Sequence, residues 1–253
     1  MQEIIAMSNA KKVALITGSN RGIGFETARQ LGEKGVTVIV TARTKNEADE
    51  TVQSLRAQGI DAEGIVLDVT KNEDRKAAAN YVESKFGKLD ILINNAGVGP
   101  ADGLFGSRAS ETTESELQSI FNVNLFAVVA LTHELLPLMK KSEAGRIINL
   151  SSILGSQTIH ASEPSPIAQM RKFAYNASKS AINMFTIHLA AELKGSNVKV
   201  NAIYPGWVKT KMGSEAAPLS VPEGAKTSVA VALLGPDGPT GRFIHEIDKE
   251  LPW

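Results

Sequence analysis

Tyr175 stands four positions ahead of Lys179 in FAYNASKSAINMF, near the start of a stretch with helical spacing over residues 175–194. Side chains four apart on a helix share a face, so a phenol and an ammonium would sit one turn apart. An unperturbed phenol ionises at about pH 10, too high for efficient proton exchange near neutrality. A neighbouring ammonium favours phenolate and is expected to lower that value. Such a pair suits acid–base work on an alcohol or carbonyl oxygen. Alone it more often marks an aromatic beside an apolar stripe and a solvated charge, so other residues must decide.

A second stretch with chemical content is VALITGSNRGIGFETARQL, an apolar run, a glycine turn and a helical pattern. Gly18, Gly22 and Gly24, with Asn20, Arg21 and Ile23 among them, give G-x-x-x-G-x-G rather than G-x-G-x-x-G. The physical need is similar: a tight turn, close backbone approach to a pyrophosphate, and helix N–H groups facing the anion. The next apolar run ends VTAR, with Thr41 and Ala42 where an acid would bind the ribose hydroxyls of NAD. Arg43 follows, and Arg21 lies inside the glycine turn. Two guanidinium groups without a carboxylate suit a 2′-phosphate, and the expected cofactor is NADP(H).

These residues need a scaffold, and the rest of the chain supplies its pattern. Short, β-branched apolar runs occupy 13–17, 36–41, 62–69, 89–94, 145–151 and 198–204, with a further one at 241–247. Helical spacing fills 22–34, 46–57, 71–86, 112–140 and 175–194. Runs this continuously apolar are buried on both faces. Their alternation with helices predicts an α/β fold: a single-domain, Rossmann-type, doubly wound parallel sheet of six to seven strands with helices on both faces. No linker or repeat divides residues 1–253. Irregular stretches at about 98–112, 155–172 and 211–222 follow strands, at the sheet edge where such folds bind ligands, and are expected to line a substrate pocket.

Lys plus Arg and Asp plus Glu number 27 each, which argues against nucleic-acid or anionic-membrane surfaces. The absence of cysteine excludes disulfides and thiol catalysis. MQEIIAMSNAKK has no long apolar run, and no stretch approaches the roughly 20 apolar residues of a membrane helix. A cytoplasmic protein with no membrane or nucleic-acid partner is expected. His133 and His188 fit helix surfaces, and no His/Asp/Glu cluster suggests a metal. Met184 and Phe185 read as packing, and Trp207 as either packing or a pocket wall.

TGSNRGIG (17–24), the Asp68-Val69 pair, NNAG (94–97), Asn124 in NVNL, Ser152, Tyr175-x-x-x-Lys179 and PGWVKT (205–210) stand in the order typical of short-chain dehydrogenases/reductases. The chain resembles that family over about residues 11–247. The resemblance implies that Asp68 and Val69 read the adenine, and that Asn95, Ala96 and Gly97 touch the adenosine ribose in a turn with Asn94. It implies that Pro205, Gly206, Val208 and Thr210 hold the nicotinamide, with Lys179 on its ribose. Tyr175 would be the general acid, Ser152 (rather than Ser151) would bond the substrate oxygen, and Asn124 would anchor a water relay to Lys179. The implied activity is NADPH-dependent reduction of a ketone, aldehyde, keto ester or quinone to an alcohol, or the reverse. An NADP-binding redox sensor without turnover is the alternative, and a structural role a third. Sensors typically lack the tyrosine or lysine, and both are present here.

Ser152 and Tyr175 lie 23 positions apart, farther than in common members, so the intervening loop carries an insertion similar to that of carbonyl reductases. The chain also ends FIHEIDKELPW, without the Asp-Gly-Gly ending of many tetrameric members. A monomer or dimer is therefore expected more than a tetramer.

Arg43→Asp should shift the ratio of NADPH to NADH affinity toward NADH. An unchanged ratio, measured by titrating nicotinamide fluorescence, would remove the NADP assignment.

Overall fold

The near-continuous apolar runs become the strands of one sheet: β1 (Val13–Ile16), β2 (Thr37–Ala42), β3 (Ala62–Val66), β4 (Ile91–Asn94), β5 (Gly145–Leu150), β6 (Val198–Ile203), β7 (Phe243–Glu246) and β8 (Lys249–Glu250). The computed structural model describes residues 11–101, 103, 105, 109–246 and 249–253. Outside the described residues lie the first ten positions of the N-terminal stretch, parts of the expected loop at 98–112, and position 247 of the expected last strand. The order is β3-β2-β1-β4-β5-β6-β7-β8. The strands from β1 to β7 pair in parallel, and β8 folds back antiparallel on β7. That eighth strand exceeds the expected six to seven because two residues, both exposed, carry no readable alternation.

Helices α1 (Gly22–Glu33), α2 (Lys45–Arg56), α3 (Asn72–Phe86), α4 (Glu114–Phe121), α5 (Ala127–Met139), α6 (Gln157–Ala161), α7 (Phe173–Glu192) and α8 (Val221–Ala232) complete the chain. Side chains alternate along each strand, which divides the core. Leu15, Leu92, Ile147 and Val200 pack beneath Val82 of α3, Leu135 of α5 and Leu189 of α7. Ile16, Val40, Ile93 and Ile203 pack on the opposite face with Leu31 of α1, Leu55 of α2 and Val229 of α8. Each fully buried aliphatic side chain contributes about 1.5–3 kcal/mol. Strand order reverses between β1 and β4, and that switch point opens a crevice at the strands' C-terminal ends.

A buried polar chain ties the sheet to α7. Asn94 Nδ2 donates to Asn149 Oδ1 at 2.8 Å and to Thr132 Oγ1 at 3.2 Å, while Asn149 Nδ2 donates to Thr186 Oγ1 at 2.9 Å. Removing a member would strand buried partners at a cost of about 1–3 kcal/mol each. The chain thus fixes how α7 lies across β4 and β5.

Three readings need correction. The pattern at 112–140 is α4 and α5 joined by a π-helical turn, Asn122–Phe126, which carries Asn124. Within the run Glu114–Met139 an 18-residue window reaches a mean hydropathy of 1.5, long and apolar enough for a membrane span, contrary to the sequence reading. Its Leu131, Leu135 and Leu138 pack on the sheet, which accounts for that apolarity. Helix α8 was not expected at all. Its start is nevertheless marked by a capping box between Ser220 and Glu223. Gly224 blurs the helical pattern and is required there, since a Cβ would lie 2.4 Å from Val208 Cγ2.

Candidate active site

The glycine turn is shaped by hydrogen bonds from three strands. Gly18 and Gly22 have φ of 60° and 58°, in the left-handed region that glycine reaches without strain. A Cβ on Gly24 would lie 2.4 Å from Asn95 Nδ2 and 2.6 Å from the Gly18 carbonyl. Asn95 Nδ2 donates to the carbonyls of Thr17 and Gly18 at 2.7 and 3.0 Å. The Thr17 hydroxyl accepts from the backbone N–H of Asn95 and Ala96, both at 2.9 Å. From β2, Thr41 Oγ1 accepts from Gly18 N at 3.0 Å and Thr41 N donates to Ser19 Oγ at 2.8 Å. Thr41 thus stands at the expected acid position to brace the turn. Sequence reading noted its type without seeing this role.

Helix α1 begins at this turn without a side-chain cap, since its N-cap Arg21 is extended and caps nothing. Uncapped N–H groups and the helix dipole face a cavity of about 790 Å³, lined here by Gly18, Asn20, Arg21, Gly22, Ile23 and Gly24. Arg43, Asp68 and Val69 line one end of the cavity. Arg21 and Arg43 are exposed, and neither guanidinium forms a salt bridge or hydrogen bond among the described residues. Glu47, missed in the sequence, also lines this end and accepts from Asn20 Nδ2 at 3.4 Å. Asp68 Oδ1 accepts from the hydroxyl and N–H of Thr70 at 2.7 and 3.0 Å. The Thr70 hydroxyl, foremost, holds its carboxyl below the usual range, with Arg43 a smaller contributor.

Asn95, Ala96 and Gly97 form the middle wall. Asn124 braces it from behind: Oδ1 accepts from Val98 N, and Nδ2 donates to the Val98 carbonyl, both at 2.9 Å. Nδ2 also donates to Ser178 Oγ of α7 at 3.1 Å. A Cβ on Gly97 would lie 3.4 Å from Asn124 Oδ1 and 3.8 Å from Lys179 Nζ, so these residues meet.

Tyr175, Lys179, Pro205 and Thr210 line the remaining wall. Ser151 and Ser152 separate clearly. Ser151 Oγ donates to Asn183 Oδ1 at 2.6 Å, whereas Ser152 Oγ accepts from Leu154 N at 3.2 Å and acts on the Tyr175 phenol, favouring its ionised form. Gly206 forms the following turn with φ of 87°. Val208, expected beside the nicotinamide, is buried against Gly224 and is not among the cavity's lining residues. Lys209, Lys211 and Met212 line it instead, a set the sequence reading did not pick out. Trp207 donates Nε1–H to the Gly213 carbonyl at 2.6 Å and meets Phe105 edge-on, with centroids 6.1 Å apart. The expected loop at 98–112 therefore touches the PGWVKT turn through an aromatic pair.

The electrostatics differ from the sequence expectation. Burial pushes the Tyr175 phenol up to about 12, with the Ser152 hydroxyl acting in the opposite sense and Tyr204 adding to the rise. Burial pulls the Lys179 ammonium down to about 8. Lys179 Nζ donates to the Leu150 carbonyl at 2.8 Å and lies 5.7 Å from the Tyr175 ring centroid. Desolvation of both side chains outweighs the mutual effect that spacing alone suggested.

Among the described residues no group of three or more potential metal ligands occurs. Lys179 yields a sign that can be checked. Between about pH 8 and the ordinary lysine value of 10.5, the unfolded chain holds a proton that the folded chain has lost. Wild-type stability should therefore rise relative to Lys179→Met as pH rises from 8 toward 10.5, measured by urea unfolding at each pH. A flat difference would contradict the lowered ammonium.

The short chain dehydrogenase family matches over residues 12–218. Carbonyl reductase [NADPH] 1 of Mus musculus is 31% identical over 289 residues, covering 98% of this chain and 100% of that protein. Short-chain dehydrogenase anuI of Penicillium roqueforti is 36% identical over 246 residues, covering 95% of each. Among solved structures, NADPH-bound carbonyl reductase from chicken fatty liver superposes with a TM-score of 0.82 at 27% identity, covering 96% of this chain and 99% of that one. The glycine turn at the switch point, the Tyr175–Lys179 helix beside Ser152 and the match across most of the chain agree: this protein belongs to the short-chain dehydrogenase family of oxidoreductases.

Proposed function

We propose that the protein is an NADPH-dependent carbonyl reductase acting on a ketone, aldehyde, keto ester or quinone, and on the alcohol in reverse. One observation carries the reading: Tyr175 and Lys179, with Ser152 against the phenol, stand at the same cavity as the uncapped glycine-turn helix and its two free arginines. The residues present fit the cofactor. Gly18, Gly22 and Gly24 leave space for a pyrophosphate, and Arg21 and Arg43 offer charge-assisted hydrogen bonds to a 2′-phosphate. Asp68 and Val69 would face the adenine, Asn95, Ala96 and Gly97 the adjoining ribose, and Pro205, Gly206 and Thr210 the nicotinamide end. Val208 would act through the backbone turn it packs beneath.

When bound, the reduced nicotinamide supplies a hydride to the carbonyl carbon. The protein's part is to hold the substrate oxygen and deliver a proton to it. Ser152 donates a hydrogen bond to that oxygen and to its developing charge. Tyr175 gives the phenolic proton to the same atom. With its phenol raised to about 12, Tyr175 stays protonated through neutrality, the state that reduction needs. Oxidation of the alcohol needs phenolate and should be favoured only at alkaline pH. Lys179 places positive charge one turn away and would bond the ribose. Asn124, with its side-chain amide engaged by Val98 and Ser178, fixes the loop after β4 beside Lys179 and would mark the start of a proton relay. The segments at 98–112, 155–172 and 211–222 would shape the substrate pocket.

In the insertion, Ile167 packs with Leu154, Ala174 and Tyr175, while Phe126, Phe173 and Met184 stay exposed on neighbouring helices. The packed insertion at the start of α7 supports a monomer or dimer rather than a tetramer. A light-scattering mass near four copies of the 27.0 kDa chain would contradict it.

Tyr175→Phe should lower turnover by roughly 10²–10⁴-fold while leaving NADPH affinity within twofold. NADPH oxidation against ketones, aldehydes and quinones, with nicotinamide fluorescence for binding, reads both. Full activity in the variant would refute the role of Tyr175. Tight binding with no turnover in wild type would favour the sensor.

A further inference from the structure

Tyr204 was not singled out in the sequence, yet the fold carries it to the site. It follows β6 directly and precedes Pro205, which lines the cavity. Ser151 N donates to the Ile203 carbonyl at 2.7 Å, so Tyr204 stands level with the Ser151–Ser152 turn. Alternation along the strand decides its direction. Val198 and Val200 pack beneath α7 with Leu189, whereas Ile203 packs on the opposite face with Ile148 and Val229. Tyr204 shares the side of Val198 and Val200, which is the side that holds Tyr175. The Tyr204 phenol also adds to the upward push on the Tyr175 phenol.

The ring of Tyr204 is held while its hydroxyl is free. β6 and β7 pair through Ile203 and Ile244, and Tyr204 N donates to the Ile244 carbonyl at 2.8 Å. The next position on β7 is His245, whose ring stacks on Tyr204 with centroids 4.8 Å apart and planes at 33°. His245 Nδ1 lies 3.0 Å from the Tyr204 carbonyl and donates to it. The His245 carbonyl accepts from Thr227 Oγ1, fixing the histidine from α8. The Tyr204 side chain is half-buried, and its hydroxyl has no hydrogen-bond partner among the described residues and is not sealed from solvent. A clamped phenol with an unused hydroxyl, level with the Ser151–Ser152 turn and on the sheet face that holds Tyr175, is a polar contact waiting for a ligand atom.

We propose that Tyr204 is a substrate-positioning residue whose hydroxyl donates a hydrogen bond to a second oxygen adjacent to the reacting carbonyl, which makes vicinal dicarbonyl compounds the favoured substrate class. The proposal rests on the reductase reading. One carbonyl gains the hydride from NADPH and the proton from Tyr175 and becomes the alcohol. The second oxygen accepts a hydrogen bond and is unchanged. A site with a hydroxyl placed for such an oxygen disfavours the analogue that lacks it, because the donor is then left unpaired.

Benzil and deoxybenzoin share a skeleton and differ in that second oxygen, so they test the idea with Tyr204→Phe. The phenyl ring keeps the stack on His245, and NADPH affinity checks that the site is intact. For benzil, kcat/KM should fall about tenfold, mostly through KM, while deoxybenzoin stays within twofold. Equal losses on both ketones, or no loss on benzil, would overturn the role of Tyr204 and leave the reductase reading standing. If the wild-type protein oxidised NADPH with neither compound nor with any other carbonyl, the reductase reading would fail, and this proposal with it.

Discussion

The site depends on how closely α7 approaches the turn after β5. Gly155 lies in that turn, and a Cβ there would sit 2.7 Å from the Lys179 carbonyl carbon and 2.9 Å from its Cβ. Only a bare backbone allows such contact. It sets the Lys179 amine on the Leu150 carbonyl and brings Tyr175 to Ser152. Ser180 and Asn183 strengthen the same contact by donating to the Gly155 carbonyl at 2.9 and 3.3 Å. Catalytic geometry of this kind rests on rigid elements held by packing and secondary hydrogen bonds.

Burial creates the electrostatic character of the site. Tyr175 and Lys179 are both nearly sealed, and each is pushed toward its neutral form. The phenol keeps its proton, and the amine sits close to losing one. Such opposed environments separate acid from base more firmly than the helical spacing of the pair. The insertion contributes, because Ile167 joins Leu154 and Ala174 around the phenol and excludes water.

The cofactor end is built on a different logic, backbone exposure with charge at the rim. Thr17, Ser19, Thr41 and Asn95 consume one another's hydrogen bonds and so hold the glycine turn open. The helix N-terminus behind it keeps its N–H groups uncapped. Arg21 and Arg43 stay exposed at the rim, opposite Glu47, so the affinity of this end depends on a balance of like and unlike charges.

Much of this was legible in the sequence. The alternation of apolar runs with helical spacing determined the doubly wound sheet, because burial on both faces demands it. The glycine spacing, the missing acid at Thr41 and Ala42 with Arg43 following, and the Tyr175–Lys179 register marked the residues that meet at the crevice, since strand ends in such a sheet converge there. Helix α8 was missed because Gly224 and its small neighbours weaken the pattern, although Ser220 and Glu223 marked its start. Only the tertiary structure decided that Ser151 is engaged by Asn183, that Val208 turns into the core, that burial overrides the Tyr175–Lys179 pairing, and that Tyr204 and His245 stack at the ends of β6 and β7. These depend on strand register and on desolvation, which arise from contacts between residues far apart in the chain.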